Sequence, residues 1–102
     1  MSKFPLYATL PLRIASFSSV VLRVSTQLLS VAGFFLVSNE GEDATRCFHC
    51  GIGLRNWSQD DDPWVEHARF SPNCDFLLNM KGQEFVDLVQ LAVKYSSNTC
   101  RH

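Results

Sequence analysis

The run Cys47–Cys74, CFHCGIGLRNWSQDDDPWVEHARFSPNC, constrains this chain more than any other stretch. It holds three of the four cysteines and two of the three histidines. Cys47 and Cys50 are spaced C-x2-C, a tight turn that aims two sulfurs at one point. The backbone N–H groups of such a turn also help to stabilise thiolate charge. His67 follows after sixteen residues and Cys74 after six more. Three soft sulfurs and one imidazole form the donor set of a tetrahedral zinc site of Cys3His type. The H-x6-C spacing is longer than that of ordinary nucleic-acid fingers.

Disulfides are the competing reading, with Cys47 joined to Cys50 and Cys74 to Cys100. That pairing leaves His67 without a role, and disulfides are rare inside cells. A catalytic zinc keeps one position open for water, whereas four good ligands close the shell. His49 lies between the two cysteines of the turn and is expected to point away. The expectation is therefore one structural Zn2+ held by Cys47, Cys50, His67 and Cys74. Such a site contributes about 10–16 kcal/mol of apparent binding free energy to the folded state. That matters in a chain of 102 residues, where one domain and a modest core are expected. No enzyme is expected. Three cysteines are committed to metal, no nucleophile–base set remains, and Cys100 on the polar tail is an incidental thiol.

Charge separates the remaining classes. The net charge is −1, and the acidic run Asp60–Asp62 stands beside the metal set, so neither nucleic acid nor an anionic membrane is an expected partner. Residues 1–39 contain no Asp or Glu, and all ten acids lie between Glu40 and Asp87. An acid-free start with Arg13 and Arg23 makes a mitochondrial transit peptide the second reading. Pro5 and Pro11, and apolar residues that continue into apparent folded structure, rank it below a soluble intracellular chain. The longest apolar stretch, near Val31–Val37, is too short to span a bilayer. The expected location is the cytoplasm, or the nucleus as well.

Along the chain, residues 1–5 read as a lead, residues 6–95 as the zinc domain and residues 96–102 as a polar tail. The lead, through about Leu6, looks loose. Thr9 is placed to cap a first helix through about Phe17, with Pro11 in its first turn and Leu12, Ile14, Ala15 and Phe17 available for burial. A second helix spans Thr26–Ala32 and stops at Gly33. Phe34–Val37, Thr45–Cys47 and Leu54–Trp57 read as short strands. Asp62-Pro63 starts a helix that carries His67 and ends near Phe70. The last helix runs from about Gly82 to Tyr95, with Phe85, Leu88, Val89 and Ala92 on its packed face.

The residues of the central run, namely the zinc spacing, Gly53-Leu54, Trp57, the Asp-Asp-Pro-Trp stretch and His67-Ala68-Arg69, resemble the baculoviral IAP repeat (BIR) of inhibitor-of-apoptosis proteins. Upstream, YATLPLRIASF resembles the family's first helix with its buried arginine, here Arg13, and STQLLSVAGFF its second helix and Gly-Phe pair. Downstream, FLLNMKGQEFVDLVQ resembles its C-terminal helix. The likeness covers roughly residues 6–91. It implies an α+β fold, a short three-stranded antiparallel sheet surrounded by four to five short helices, with zinc at one edge. It also implies a groove that takes the free N-terminus of an Ala-initiated partner: processed caspases, or antagonists of Ala-x-Pro type.

By that resemblance Asp61 is the primary acid for the partner's ammonium and Glu66 a second polar wall. Gly53 and Arg55 offer main-chain hydrogen bonds to an added strand. Leu54 and Trp57 floor the groove, and Phe70 stands where groove-type members often carry tryptophan. Without the resemblance, the structural reading is favoured for each of these side chains: Asp62 as a helix cap, Trp64 as core. Several positions depart from the pattern. Ser19-Val20-Val21 replaces a Trp-Pro, Phe35 is followed by Leu36 and Val37 where glycine is usual, and Ile52 interrupts a Gly-Gly-Gly run. Ubiquitin-ligase activity, which the family carries on a RING finger, is not expected of these residues. The runner-up function is a BIR scaffold or dimerisation module, in signalling or cell division, without a working groove.

Overall fold

The computed structural model describes residues 1–95. The polar tail 96–102, with Cys100, lies outside the described residues. Among the described residues, five α-helices surround a three-stranded antiparallel sheet. The helices are α1 (Leu10–Ser16), α2 (Thr26–Val31), α3 (Pro63–Phe70), α4 (Asp75–Lys81) and α5 (Gln83–Lys94). The strands β1 (Phe34–Leu36), β2 (Thr45–Cys47) and β3 (Gly53–Leu54) lie in the order β1-β2-β3. Phe34 pairs with Cys47, and Arg46 with Gly53. The α+β architecture and the short sheet agree with expectation.

The inward face of α1 differs from the one expected. Phe17 is buried as expected, at 3% exposed, but Leu12 and Ile14 are 44% and 43% exposed and Ala15 also faces solvent, whereas Arg13 is 4% exposed. Arg13, Ser16 and Phe17 recur at the spacing of one helical face, so hydropathy alone misplaced it. Ser16 does work of its own there: its hydroxyl accepts the Leu36 N–H at 2.9 Å and so satisfies the outer edge of β1. At α2 the Ser25 hydroxyl accepts the Leu28 N–H, and the chain leaves through Gly33 at φ +100. That conformation favours glycine.

The lead is tied down. Lys3 N–H donates to His49 O at 3.1 Å and Phe4 N–H to Phe48 O at 2.8 Å. Tyr7 stacks on Phe35 with ring centroids 4.0 Å apart. These partners lie 28 to 46 positions along the chain, so no local signal marks them.

β3 is shorter than expected. Asn56 takes φ 61, which ends the strand before Trp57. Asparagine tolerates that left-handed conformation better than most residues. α4 was not anticipated; it begins at Cys74 as N-cap and ends where Gly82 starts α5. On α5 the only fully buried residue is Val86, with Phe85, Val89, Gln90 and Val93 half-buried. Leu88 is 60% exposed and Ala92 is also exposed, so the packed face is rotated from the one expected. The core gathers Phe34, Leu29, Leu77, His67 and Val86 between the sheet and the helices.

Candidate metal centre and sheet edge

The turn after β2 brings Cys50 back toward Cys47, through a Gly51 N–H to Cys47 O hydrogen bond of 3.0 Å. α3 supplies His67, and the start of α4 supplies Cys74. The four donor atoms lie within 4.8 Å of one another. Cys47 Sγ and Cys74 Sγ are 4.0 Å apart, and Cys50 Sγ and His67 Nε2 are 3.6 Å apart. Tetrahedral zinc, with bonds of about 2.3 Å to sulfur and about 2.0 Å to nitrogen, needs donors roughly 3.5–3.8 Å apart. The four residues are thus positioned to bind a metal ion. Cys47, Cys50 and Cys74 are free thiols, which removes the Cys47–Cys50 disulfide.

A second layer orients the donors. His67 Nδ1 donates its N–H to Ala32 O at 2.9 Å, which leaves Nε2 as the ring atom aimed at the sulfurs and free to ligate once its proton is lost. His49 N–H points at Cys47 Sγ (3.3 Å), as the turn geometry predicts, and the Ser71 hydroxyl donates to Cys50 Sγ (3.2 Å). The His49 ring faces away, with Nδ1 3.0 Å from Ser2 Oγ.

The electrostatics show what a cation would relieve. Hydrogen bonds with Cys50 and Cys74 push the Cys47 thiol above its ordinary value. The bond with Cys47 leads in holding Cys50 well below its own. Burial pulls the His67 imidazole down, but hydrogen bonds to Cys50 and Cys74 and the charge of those thiolates outweigh it and push it up to about 9. A divalent metal with three thiolates and a neutral imidazole carries about one net negative charge. A buried cation stands near. Burial lowers the pKa of Arg13, and the Cys47 charge opposes that shift. The guanidinium lies 4.7 Å over the Phe48 ring and 5.6 Å over Phe76, and it donates to Ser30 O (2.7 Å), Tyr7 O and Ala8 O. It answers part of the cluster's charge while its donors are satisfied.

The expected groove residues divide into two groups. Gly53 and Arg55 are exposed along β3 and its exit, and Asp61 and Phe70 are half-buried. Leu54 and Trp57 are each 3% exposed and Glu66 5%, so these three stand in the core layer behind the edge. The Trp57 indole N–H reaches Thr45 Oγ1 at 3.3 Å, and its ring meets Phe34 edge-on. Asp61 accepts the Ser58 N–H at 2.8 Å, closing the loop that leads into α3. Asp62 caps α3 through the Trp64 N–H, as expected. Trp64 is half-buried and stacked on Phe76 and His67.

Asp43 escaped the sequence reading. Its carboxylate accepts both the Asn56 N–H (3.1 Å) and the Trp57 N–H (2.8 Å), pinning the bend that ends β3. It looked like one acid in a turn, and its partners are 13 and 14 residues away.

Fold and donor set together define a small α+β binding module built on a Cys3His metal-binding set. The chain belongs to the inhibitor-of-apoptosis family: residues 13–78 match the family model for BIR, the Inhibitor of Apoptosis domain. It is 50% identical over 80 residues to baculoviral IAP repeat-containing protein 7-B of Xenopus laevis, which covers 76% of this chain and 23% of that protein. It is 37% identical over 97 residues to the E3 ubiquitin-protein ligase XIAP of Rattus norvegicus, covering 95% of this chain and 19% of that one. The chain thus spans about a fifth of the length of these relatives. The solved structure of the autoinhibited dIAP1-BIR1 domain is similar with a TM-score of 0.61 and 28% identity, over 78% of this chain and 88% of that one. Among the described residues no helix is long and apolar enough to cross a membrane.

Proposed function

We propose that this domain, holding one structural Zn2+, restrains apoptosis in the cytoplasm by capturing the free N-termini of processed caspases or of their Ala-x-Pro antagonists. Zinc is the metal favoured by three thiolates and one imidazole at these separations. The observation that carries the peptide reading is the edge strand. β3 has β2 on one side, and Gly53 and Arg55 are exposed, so an extended segment can add there. Asp61, half-buried, is the carboxylate for the partner's ammonium, where an ion pair is stronger than in bulk water. Glu66 backs it, Leu54 and the rim of Trp57 form the floor, and Phe70 meets the residues that follow.

The test is a titration with a fluorescent Ala-Val-Pro-Ile peptide beside its N-acetylated twin. Binding at micromolar strength or better, about −8 kcal/mol, that disappears on acetylation supports the reading. The burial of Leu54, Trp57 and Glu66 favours a second one, a BIR scaffold that does not read free N-termini. A folded, zinc-loaded domain that binds neither peptide establishes that alternative.

A further inference from the structure

We infer that the lead, residues 2–7, is a clamp on the metal turn, and that its release is the step that opens the donor set to exchange. This rests on the reading that Cys47, Cys50, His67 and Cys74 hold Zn2+. The contacts of the lead fall on the turn to either side of Cys50. The Lys3 N–H donates to His49 O at 3.1 Å and the Phe4 N–H to Phe48 O at 2.8 Å. Ser2 Oγ lies 3.0 Å from His49 Nδ1. The Lys3 stem runs so close over Gly51 that a Cβ added there would stand 2.8 Å from Lys3 Cδ. Phe48, His49 and Gly51 thus each carry a contact from the lead.

The same segment is anchored elsewhere in the fold. Phe4 meets Phe35 of β1 edge-on at 5.2 Å, and Tyr7 stacks on that ring at 4.0 Å. The carbonyls of Tyr7 and Ala8 accept from Arg13 Nη1, whose guanidinium lies over Phe48. The lead therefore ties the turn to β1 and α1. It does so with little burial: none of Pro5–Tyr7 is buried, Leu6 is 66% exposed, and Phe4 and Tyr7 are half-buried. A segment held by so few buried contacts opens locally, before the domain unfolds. Cys47, His67 and Cys74 are buried and Cys50 is half-buried, so Cys50 is the donor that an incoming ligand reaches first. When the lead lifts, the Phe48 and His49 carbonyls lose their donors and turn to water. The backbone on which Cys50 is mounted is then free to move its sulfur out of the set.

Transfer of zinc from the loaded 102-residue chain to excess chromophoric chelator tests this. Phe4→Pro removes the donor to Phe48 O and one ring, and Tyr7→Ala removes the other ring. Each is expected to speed release about tenfold. Val86→Ala, which opens a cavity in the core at α5, is the control. It is expected to lower the melting temperature at least as much, yet to leave the release rate within about twofold of wild type. Should Phe4→Pro not fold, Tyr7→Ala decides alone. Release at the wild-type rate in the folded lead variants overturns the clamp. So does a Val86→Ala rate raised as far as theirs, which makes global unfolding the route. A folded chain that takes up no zinc overturns the metal reading, and the clamp with it.

Discussion

The Nδ1 atom of His67 lies 2.9 Å from the carbonyl oxygen of Ala32, and this bond joins the metal set to the end of α2. His67 is fully buried, so the imidazole is at once a core residue and a donor. His67→Ala removes the ligand, opens a cavity and leaves the buried Ala32 carbonyl without its partner. We expect loss of bound metal and of the cooperative melt, a change of at least about 3 kcal/mol. Chelation of the wild-type chain should produce the same unfolded state by circular dichroism. A full cooperative transition in either case would remove the structural role of the metal.

Metal uptake should release protons. Where the cluster is folded around no cation, His67 is pushed up to about 9 and is therefore protonated at neutral pH. Cys47 is raised as well and carries its proton. Both protons must leave when the donors close on a cation. The sign follows: acidification weakens metal binding, by about a hundredfold per pH unit where two protons are displaced. Calorimetry at pH 7 in buffers of different ionisation enthalpy counts them directly. A count below two would contradict the protonation states described above.

Gly33 is the position where a methyl group should cost most. Its φ is +100, and an added Cβ would stand 2.9 Å from Phe76 Cε2 and 3.5 Å from Cys47 Sγ. Gly33→Ala therefore combines backbone strain with a clash against a ring that packs over the buried Arg13. The expected destabilisation is about 2–3 kcal/mol, read from urea melts of the metal-loaded chain. A shift under about 1 kcal/mol would mean that the segment between α2 and β1 can relax.

What was legible in the sequence was what is written locally. The metal set announced itself because its residue types are chemically rare and two of its members share one turn. α3 was readable from Asp62-Pro63, and the stop at Gly33 from glycine's freedom at positive φ. What escaped was decided by tertiary contacts. The burial of Arg13 was expected only through the family likeness, because the three carbonyls and two rings that converge on it are encoded in no hydropathy pattern. The face of α5 was misread because its helical period supports two neighbouring apolar stripes, and packing against α3 and α4 chose between them. The residues proposed to line a peptide groove came only through family likeness, and the burial of Trp57 and Glu66 follows from their packing behind β3.

Asp43 should matter to the sheet edge more than its place in an acidic turn suggests. Its two bonds to the Asn56 and Trp57 N–H groups hold the left-handed residue that ends β3. Asp43→Ala should lower stability by about 1–2 kcal/mol. Amide exchange should quicken at Asn56 and Trp57 first, and affinity for an added strand should fall with it. Unchanged protection at those two amides would show that the bend holds itself.

Asp61 provides the sharpest separation of function from fold. Its carboxylate closes the loop onto the Ser58 N–H, so alanine at this position removes a loop contact as well as a charge. Asparagine keeps an oxygen acceptor for Ser58 and removes only the charge. If Asp61 pairs with an incoming ammonium, Asp61→Ala weakens the Ala-initiated peptide by about 2 kcal/mol or more. Asp61→Asn should weaken it nearly as much while leaving the melting transition in place. Zinc content should be the same in both variants, because Asp61 is not a member of the donor set. If Asp61→Asn binds like wild type and only Asp61→Ala is impaired, Asp61 shapes the loop and the ammonium site lies elsewhere.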